Sequence, residues 1–161
     1  LEFRRVLFRS RHGMVTAGLV RGSAMRAYAR RVIDTFAVKC GGERAPAASL
    51  SGGNLQKYIV GRETLFEPKV MVVSQPTWGV DVGASMLIRQ ALIDLRDAGV
   101  AVLVISEELE ELFMICDRLA VIAEGRLSGL CPTNELDVER IGVWMSGAFE
   151  SAQRAGATAP N

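Results

Sequence analysis

Histidine occurs once in these 161 residues, at His12. A lone imidazole can build neither a histidine-rich metal site nor a Ser-His-Asp triad, so His12 is given no role. Cysteine occurs three times, at Cys40, Cys116 and Cys131, far apart and without a CxxC pair. An odd, scattered set reads as buried free thiols in a reducing compartment, not as a disulfide framework. Long apolar runs are missing as well. The longest clean run in the second half, Val100 to Ile105, is too short to cross a bilayer. No secretory signal pattern is present, so membrane association would have to come through a partner. Neither sign of charge dominates: 19 Lys and Arg face 18 Asp and Glu, for a net charge of +1. That balance argues against nucleic acid as a partner. Arginines do gather early, at Arg4, Arg5, Arg9, Arg11, Arg21, Arg26, Arg30 and Arg31. A solvated helix surface explains them better than a basic face.

What is present suits a folded core. Hydrophobic residues make up 49% and charged residues 23% of a chain about one domain long. The first ten residues, LEFRRVLFRS, carry no initiator Met and read as adaptor-derived, so residues 1–10 are set aside from fold reasoning. Residues 148–161 end in a low-complexity tail from Ser151 that is expected to be disordered.

Between these ends, apolar periodicity predicts a helix from Gly22 to Phe36, with Met25, Tyr28, Ala29, Val32, Ile33 and Phe36 on one stripe. A Gly/Pro/Ala linker follows from Lys39 to Ala48. A second helix is expected from about Asn54 to Phe66, with Ser51 placed as its cap and two glycines before it. Val70 to Val73 is a short apolar strand between Pro68 and Pro76, expected to be central and buried on both faces. A helix from Ala84 to Asp97 presents Leu87, Ile88, Ala91, Leu92 and Leu95 to the core and stops at Ala98-Gly99. Ala101 to Ile105 is a second apolar strand, and Glu108 to Cys116 a short acidic helix. Leu119–Ala123 and Arg126–Leu130 predict a hairpin turning at Glu124-Gly125. Glu135 to Met145 is the last helix. Alternating apolar strands and helices indicate an α/β sheet covered on both faces, with ligands at the strand ends. Ser74, Gln75, Ser106 and Glu107 follow the two strands directly.

SLSGGNLQK, Ser49 to Lys57, is the sharpest local feature. Two glycines and a serine at a helix start leave backbone N–H groups and one hydroxyl free for a phosphate. An ordinary capped helix after a flexible turn fits the same residues equally well. The acidic run Glu107, Glu108, Glu110 and Glu111 reads as a solvated helix start, favoured by the dipole. Trp78, in a turn beside Gly79, could stack on a base or meet a partner, but local packing is as good a reading. Trp144 reads as core.

The order of features breaks the tie. SLSGGN, an apolar strand, Gln-Pro-Thr, Gly-Val-Asp, a helix and a second strand ending Ile-Ser together resemble the C-terminal half of an ATP-binding-cassette (ABC) transporter ATPase. Leu50–Asn54 is similar to the signature motif, and Val70–Val73 to the Walker B strand. Trp78–Asp81 is similar to the D-loop, and Ile105–Glu107 to the switch region. Within that family, QPTWGVDVG and LSGGN resemble the second cassette of sugar and nucleoside importers. The resemblance covers roughly residues 11–147. It implies a P-loop NTPase-like sheet flanked by helices and truncated at its N-terminus, lacking several strands and so carrying open edges and an open core face. It implies ATP and Mg²⁺ as cofactors, another cassette and transmembrane permease subunits as partners, an extracytoplasmic substrate-binding protein acting indirectly, and a peripheral position at the cytoplasmic face of the membrane.

The departures matter as much. No GxxxxGK[ST] occurs anywhere in the chain. Ser74 stands where the family places the Mg²⁺-binding aspartate, and it lacks the charge to offset a divalent cation. Gln75 stands in place of the general-base glutamate; it can orient a water but cannot take its proton. Glu107 replaces the switch histidine and would put negative charge beside a polyanion. The chain by itself is therefore expected to be inactive. In the family, two cassettes pack head to tail and each signature closes over the other's ATP. Ser51, Gly52, Gly53, Asn54 and Asp81 would then serve a partner's site. The rival reading is a non-transport protein of the same type, or a fragment with only an interaction role.

Overall fold

The computed structural model describes residues 13–16 and 19–149. The adaptor-like residues 1–10, Arg11, His12 and the tail 151–161 lie outside the described residues. The chain divides into two compact units, Leu1–Ile105 and Ser106–Asn161.

The first unit opens with a two-stranded antiparallel pair, β1 (Val15–Thr16) and β2 (Leu19–Val20). No feature of the sequence had announced it. α1 runs from Gly22 to Thr35. Its predicted stripe is the inward face: Val32 and Phe36 are buried, and Met25, Tyr28, Ala29 and Ile33 are half-buried. α2 runs from Gly52 to Thr64, two residues earlier at each end than expected. The earlier start follows from Leu55 N–H donating to Ser51 O at 2.8 Å, which places both glycines in the first helical turn.

α1 and α2 pack through Tyr28, whose ring lies 4.9 Å from that of Phe66 and whose hydroxyl donates to Arg62 O. Burial, followed by the charge of Glu63, pushes the Tyr28 phenol well above its ordinary range. Phe36 lies directly on Gly61: a Cβ at residue 61 would sit 2.6 Å from the ring Cγ. Phe36 is only 3% exposed, so its ring has no room to retreat. Gly61→Ala is therefore expected to destabilise the chain by about 1–3 kcal/mol through overpacking. Because the ring is trapped, the value should fall high in that range, above the up-to-about 1 kcal/mol that alanine gains in helix propensity. A rise in the urea midpoint of unfolding would contradict this packing.

β3 (Val70–Ser74) and β4 (Ala101–Ile105) pair in parallel, in register from Val70 with Ala101 to Ser74 with Ile105. α3 (Val82–Asp97) connects them and buries Ala84, Ile88, Leu92 and Leu95. The expectation that β3 is buried on both faces is corrected here. Met71 and Val73 are buried, whereas Val72 is 62% and Leu103 56% exposed. Side chains alternate across a strand, and helices cover only one face of this pair within the unit. The α/β class stands.

The second unit begins with α4, Leu109–Ile115. β5 (Arg118–Leu119) pairs with β8 (Cys131–Pro132), and β6 (Ile122–Ala123) with β7 (Arg126–Leu127). The hairpin turns at Glu124 and Gly125, with φ of +49° and +73°, as the dipeptide predicts. Its strands are shorter than expected because Ser128 interrupts the ladder. The Ser128 hydroxyl accepts from Val121 N–H at 2.8 Å, and Ser128 N–H donates to Val121 O. α5 spans Val138–Met145 after a 3-10 turn at Thr133–Glu135. Asp137 caps it by accepting from Arg140 N–H at 2.7 Å, which explains the start downstream of Glu135. Leu119, Leu136, Ile141, Trp144 and Phe149 form the core of this unit. Trp144 is core as expected. Cys40, Cys116 and Cys131 form no disulfide and are half-buried, less enclosed than expected.

Candidate functional site

The start of α2 is open. Ser51 occupies the cap position with extended backbone, yet its hydroxyl makes no capping bond to the helix amides. No acidic residue lies in the first turn. A Cβ at Gly52 would meet nothing within 4 Å, so the approach to the helix end is clear. An N-terminus of this kind attracts anions through its free N–H groups and the helix dipole.

The Ser51 hydroxyl is instead held from the side. Asn54 Nδ2 donates to Ser51 Oγ at 2.8 Å. Asn54 Oδ1 accepts from Lys39 N–H, also at 2.8 Å. Lys57 Nζ donates to Ala37 O at 2.6 Å, so the short stretch from Ala37 to Lys39 after α1 is pinned to α2 at two points. Asn54, expected from sequence among the nucleotide-binding residues, has both ends of its amide engaged within the chain.

The segment Trp78–Asp81, which is similar to a D-loop, lies against this turn through Val80. A Cβ at Gly53 would be 3.7 Å from Val80 Cα and Cβ, an ordinary van der Waals contact, so the two segments lie side by side. Asp81 caps α3, accepting from Ala84 N–H at 2.9 Å. That bond, with a contribution from Lys57, holds the Asp81 carboxyl below its usual range. Trp78 is 76% exposed, which overturns its reading as a local packing residue. Proline and glycine turns on either side carry it outward.

Ser74 is exposed at the end of β3. Gln75, half-buried beside it, adopts φ +49°, a left-handed backbone that costs a non-glycine residue about 1–2 kcal/mol. Three bonds hold it there. Gln75 N–H donates to Ile105 O at 2.7 Å, and Gln75 O accepts from Trp78 N–H at 3.2 Å and from Gln56 Nε2 at 3.1 Å. Gln56 ties α2 to the end of β3, and sequence reasoning missed it. The signal was its spacing, on the same helical face as Gly53 and the buried Val60.

Ser106 and Glu107 belong to the second unit. The Ser106 hydroxyl accepts from Glu108 N–H at 3.1 Å and donates to Glu111 Oε2 at 3.0 Å. Glu111 is 1% exposed, so the acidic run is not uniformly solvated; its fourth carboxylate turns inward to fix the start of α4. Glu107 is exposed. Of the early arginines, Arg30 pairs with Glu43 at 2.9 Å, an exposed contact worth little to stability.

The chain is 42% identical over 130 residues to the nucleoside import ATP-binding protein NupA of Lactococcus lactis, covering 81% of this chain and 26% of that protein. It is homologous to ABC-transporter ATP-binding domains. The glucose import ATP-binding protein TsgD13 of Haloferax volcanii is 41% identical, with 83% and 24% covered. The galactose/methyl galactoside import ATP-binding protein MglA of Escherichia coli is 41% identical, with 72% and 23% covered. The homology thus takes in most of this chain, which spans about a quarter of the length of the curated relatives it matches. No family model matches. Among solved structures, the dimeric ABC transporter cassette MJ0796 superposes with TM-score 0.62 at 19% identity, over 73% of this chain and 51% of that one. An ATP-binding subunit of an ABC transporter gives 0.61 at 18% identity, over 88% and 57%. These two show the ABC ATPase fold.

Among the described residues, no helix is long and apolar enough to cross a membrane. No group of three His, Cys, Asp or Glu among them is placed to hold a metal.

Proposed function

We propose that this chain is the C-terminal part, residues 11–147, of the second cassette in an ABC importer ATPase for nucleosides or simple sugars. It supplies its LSGGN signature in trans to ATP held by another cassette, while its own hydrolytic site is degenerate. The observation that carries the reading is the uncapped start of α2, where the Ser51 hydroxyl stands beside the amides of Gly52 and Gly53 with no acidic residue in the turn. That donor set fits the terminal phosphate of ATP. Asp81, set against the same turn through Val80, would help order the facing site.

The strand end does not fit Mg²⁺ in cis. Ser74 and Gln75 offer a hydroxyl and an amide but no carboxylate. Gln75 has no basic oxygen to accept a proton from water. When bound at the facing site, ATP–Mg²⁺ would bring its own charge, and the signature would contribute hydrogen-bond donors only. The partners on this reading are the other cassette, transmembrane permease subunits and, indirectly, a substrate-binding protein. The place of work is the cytoplasmic face of the membrane.

The degeneracy has a direct test. In the two-cassette protein, replacing the other cassette's general-base carboxylate by its amide should reduce ATP turnover to background, because this half offers no base of its own. Residual turnover near half of the original rate would show that this half hydrolyses ATP, and the asymmetric reading would fall.

A further inference from the structure

We infer that Asn54 is a positioning residue that fixes the Ser51 hydroxyl as a donor toward an anion at the start of α2. The inference rests on the trans-acting reading for its consequence, but the geometry stands apart from it. Lys39 N–H can only donate, so the end of the Asn54 amide that faces it must be the carbonyl oxygen, Oδ1. The amide is planar, and its other end is therefore the NH₂ group, which meets Ser51 Oγ at 2.8 Å. A hydroxyl has one proton and two lone pairs. With a lone pair occupied by Asn54, the Ser51 proton is directed away from Asn54, and the Ser51 side chain is exposed. The linker backbone at Lys39 thus sets the polarity of a chain of bonds that ends in a proton offered outward. Each bond in such a chain polarises the next.

Asn54→Asp preserves shape and reverses this polarity. The carboxylate still accepts from Lys39 N–H, but its second oxygen takes the Ser51 proton, turning the hydroxyl inward and presenting lone pairs and negative charge to the phosphate. Ser51→Ala removes the hydroxyl altogether. If Asn54 acts through Ser51, the two substitutions are not independent. In the two-cassette protein, Asn54→Asp should lower kcat by a factor comparable to that of Ser51→Ala, about 100-fold. In the Ser51→Ala background the uncharged Asn54→Ala, which adds no repulsion of its own, should change kcat by less than about threefold. Independent multiplication of the two effects would overturn the inference, since a role confined to anchoring Lys39 would persist without the serine. Asn54→Ala, with thermal unfolding of each variant, separates loss of the anchor from reversal of polarity. It should cost activity less than Asn54→Asp, and an equal or greater cost would also overturn the inference.

NMR on the 161-residue chain separates this inference from the trans reading. The Asn54 side-chain amide protons should shift on Ser51→Ala. No shift would remove the bond and the inference with it, whatever the turnover assays show. A shift together with normal turnover of the Ser51→Ala protein would keep the bond, refute the trans role of Ser51 and, with it, the assigned function of Asn54.

Discussion

Ser51→Ala in the two-cassette protein is expected to lower kcat for ATP about 100-fold, the scale for removing one aimed donor from a charge-developing site. The hydroxyl stands at the cap of α2, and Asn54 holds it from the side without using its proton. The KM for ATP should change little, because the Walker motifs of the facing cassette would carry most ground-state binding. A fall in kcat with KM unchanged marks an interaction made chiefly in the transition state. Folding should not be at issue: Ser51 is exposed, and its side chain makes no capping bond to the helix. Single-turnover measurement on each site would place the loss at the site facing this signature. Unchanged ATPase activity would end the trans-acting reading.

Trp144→Ala should destabilise the second unit by about 3–5 kcal/mol, the range for emptying a buried aromatic site. Trp144 is 1% exposed and packs with Leu119, Leu136, Ile141 and Phe149. The guanidinium of Arg140 lies 5.1 Å from its ring, adding a cation–π contact that alanine also loses. Trp144→Phe makes the argument specific. The indole Nε1 is buried without a hydrogen-bond partner. Removing an unsatisfied donor recovers about 1–3 kcal/mol, which offsets much of the lost ring volume. Urea unfolding of the chain should therefore rank wild type and Trp144→Phe close together, with Trp144→Ala far below. Equal losses for the two variants would mean that Nε1 is satisfied and contributes to stability.

The legible parts of this protein were those governed by local rules. Helix stripes, the Glu124-Gly125 turn and the α3 stop at Ala98-Gly99 follow from periodicity and backbone preference, and each is where the sequence put it. The resemblance of the signature, strand and D-loop segments to an ABC ATPase was readable because several motifs recur in order. The errors share a different cause. The strand Val70–Val73 looks buried on both sides because valine carries no record of which side has a cover. The acidic run looked solvated because Glu111 differs from its neighbours only in facing Ser106.

By itself, the sequence determined the α/β class, the LSGGN turn at a helix start, and the absence of acids at Ser74 and Gln75. All three depend on residue identity and short spacing. Tertiary structure alone decided that Asn54 bridges Lys39 and Ser51, that Gln56 reaches Gln75 O, and that Gly53 lies beside Val80. The physical reason is that a hydrogen bond or a contact between segments is a fact about two places in the chain. Here the partners stand 15, 19 and 27 residues apart, except for the short step from Asn54 to Ser51.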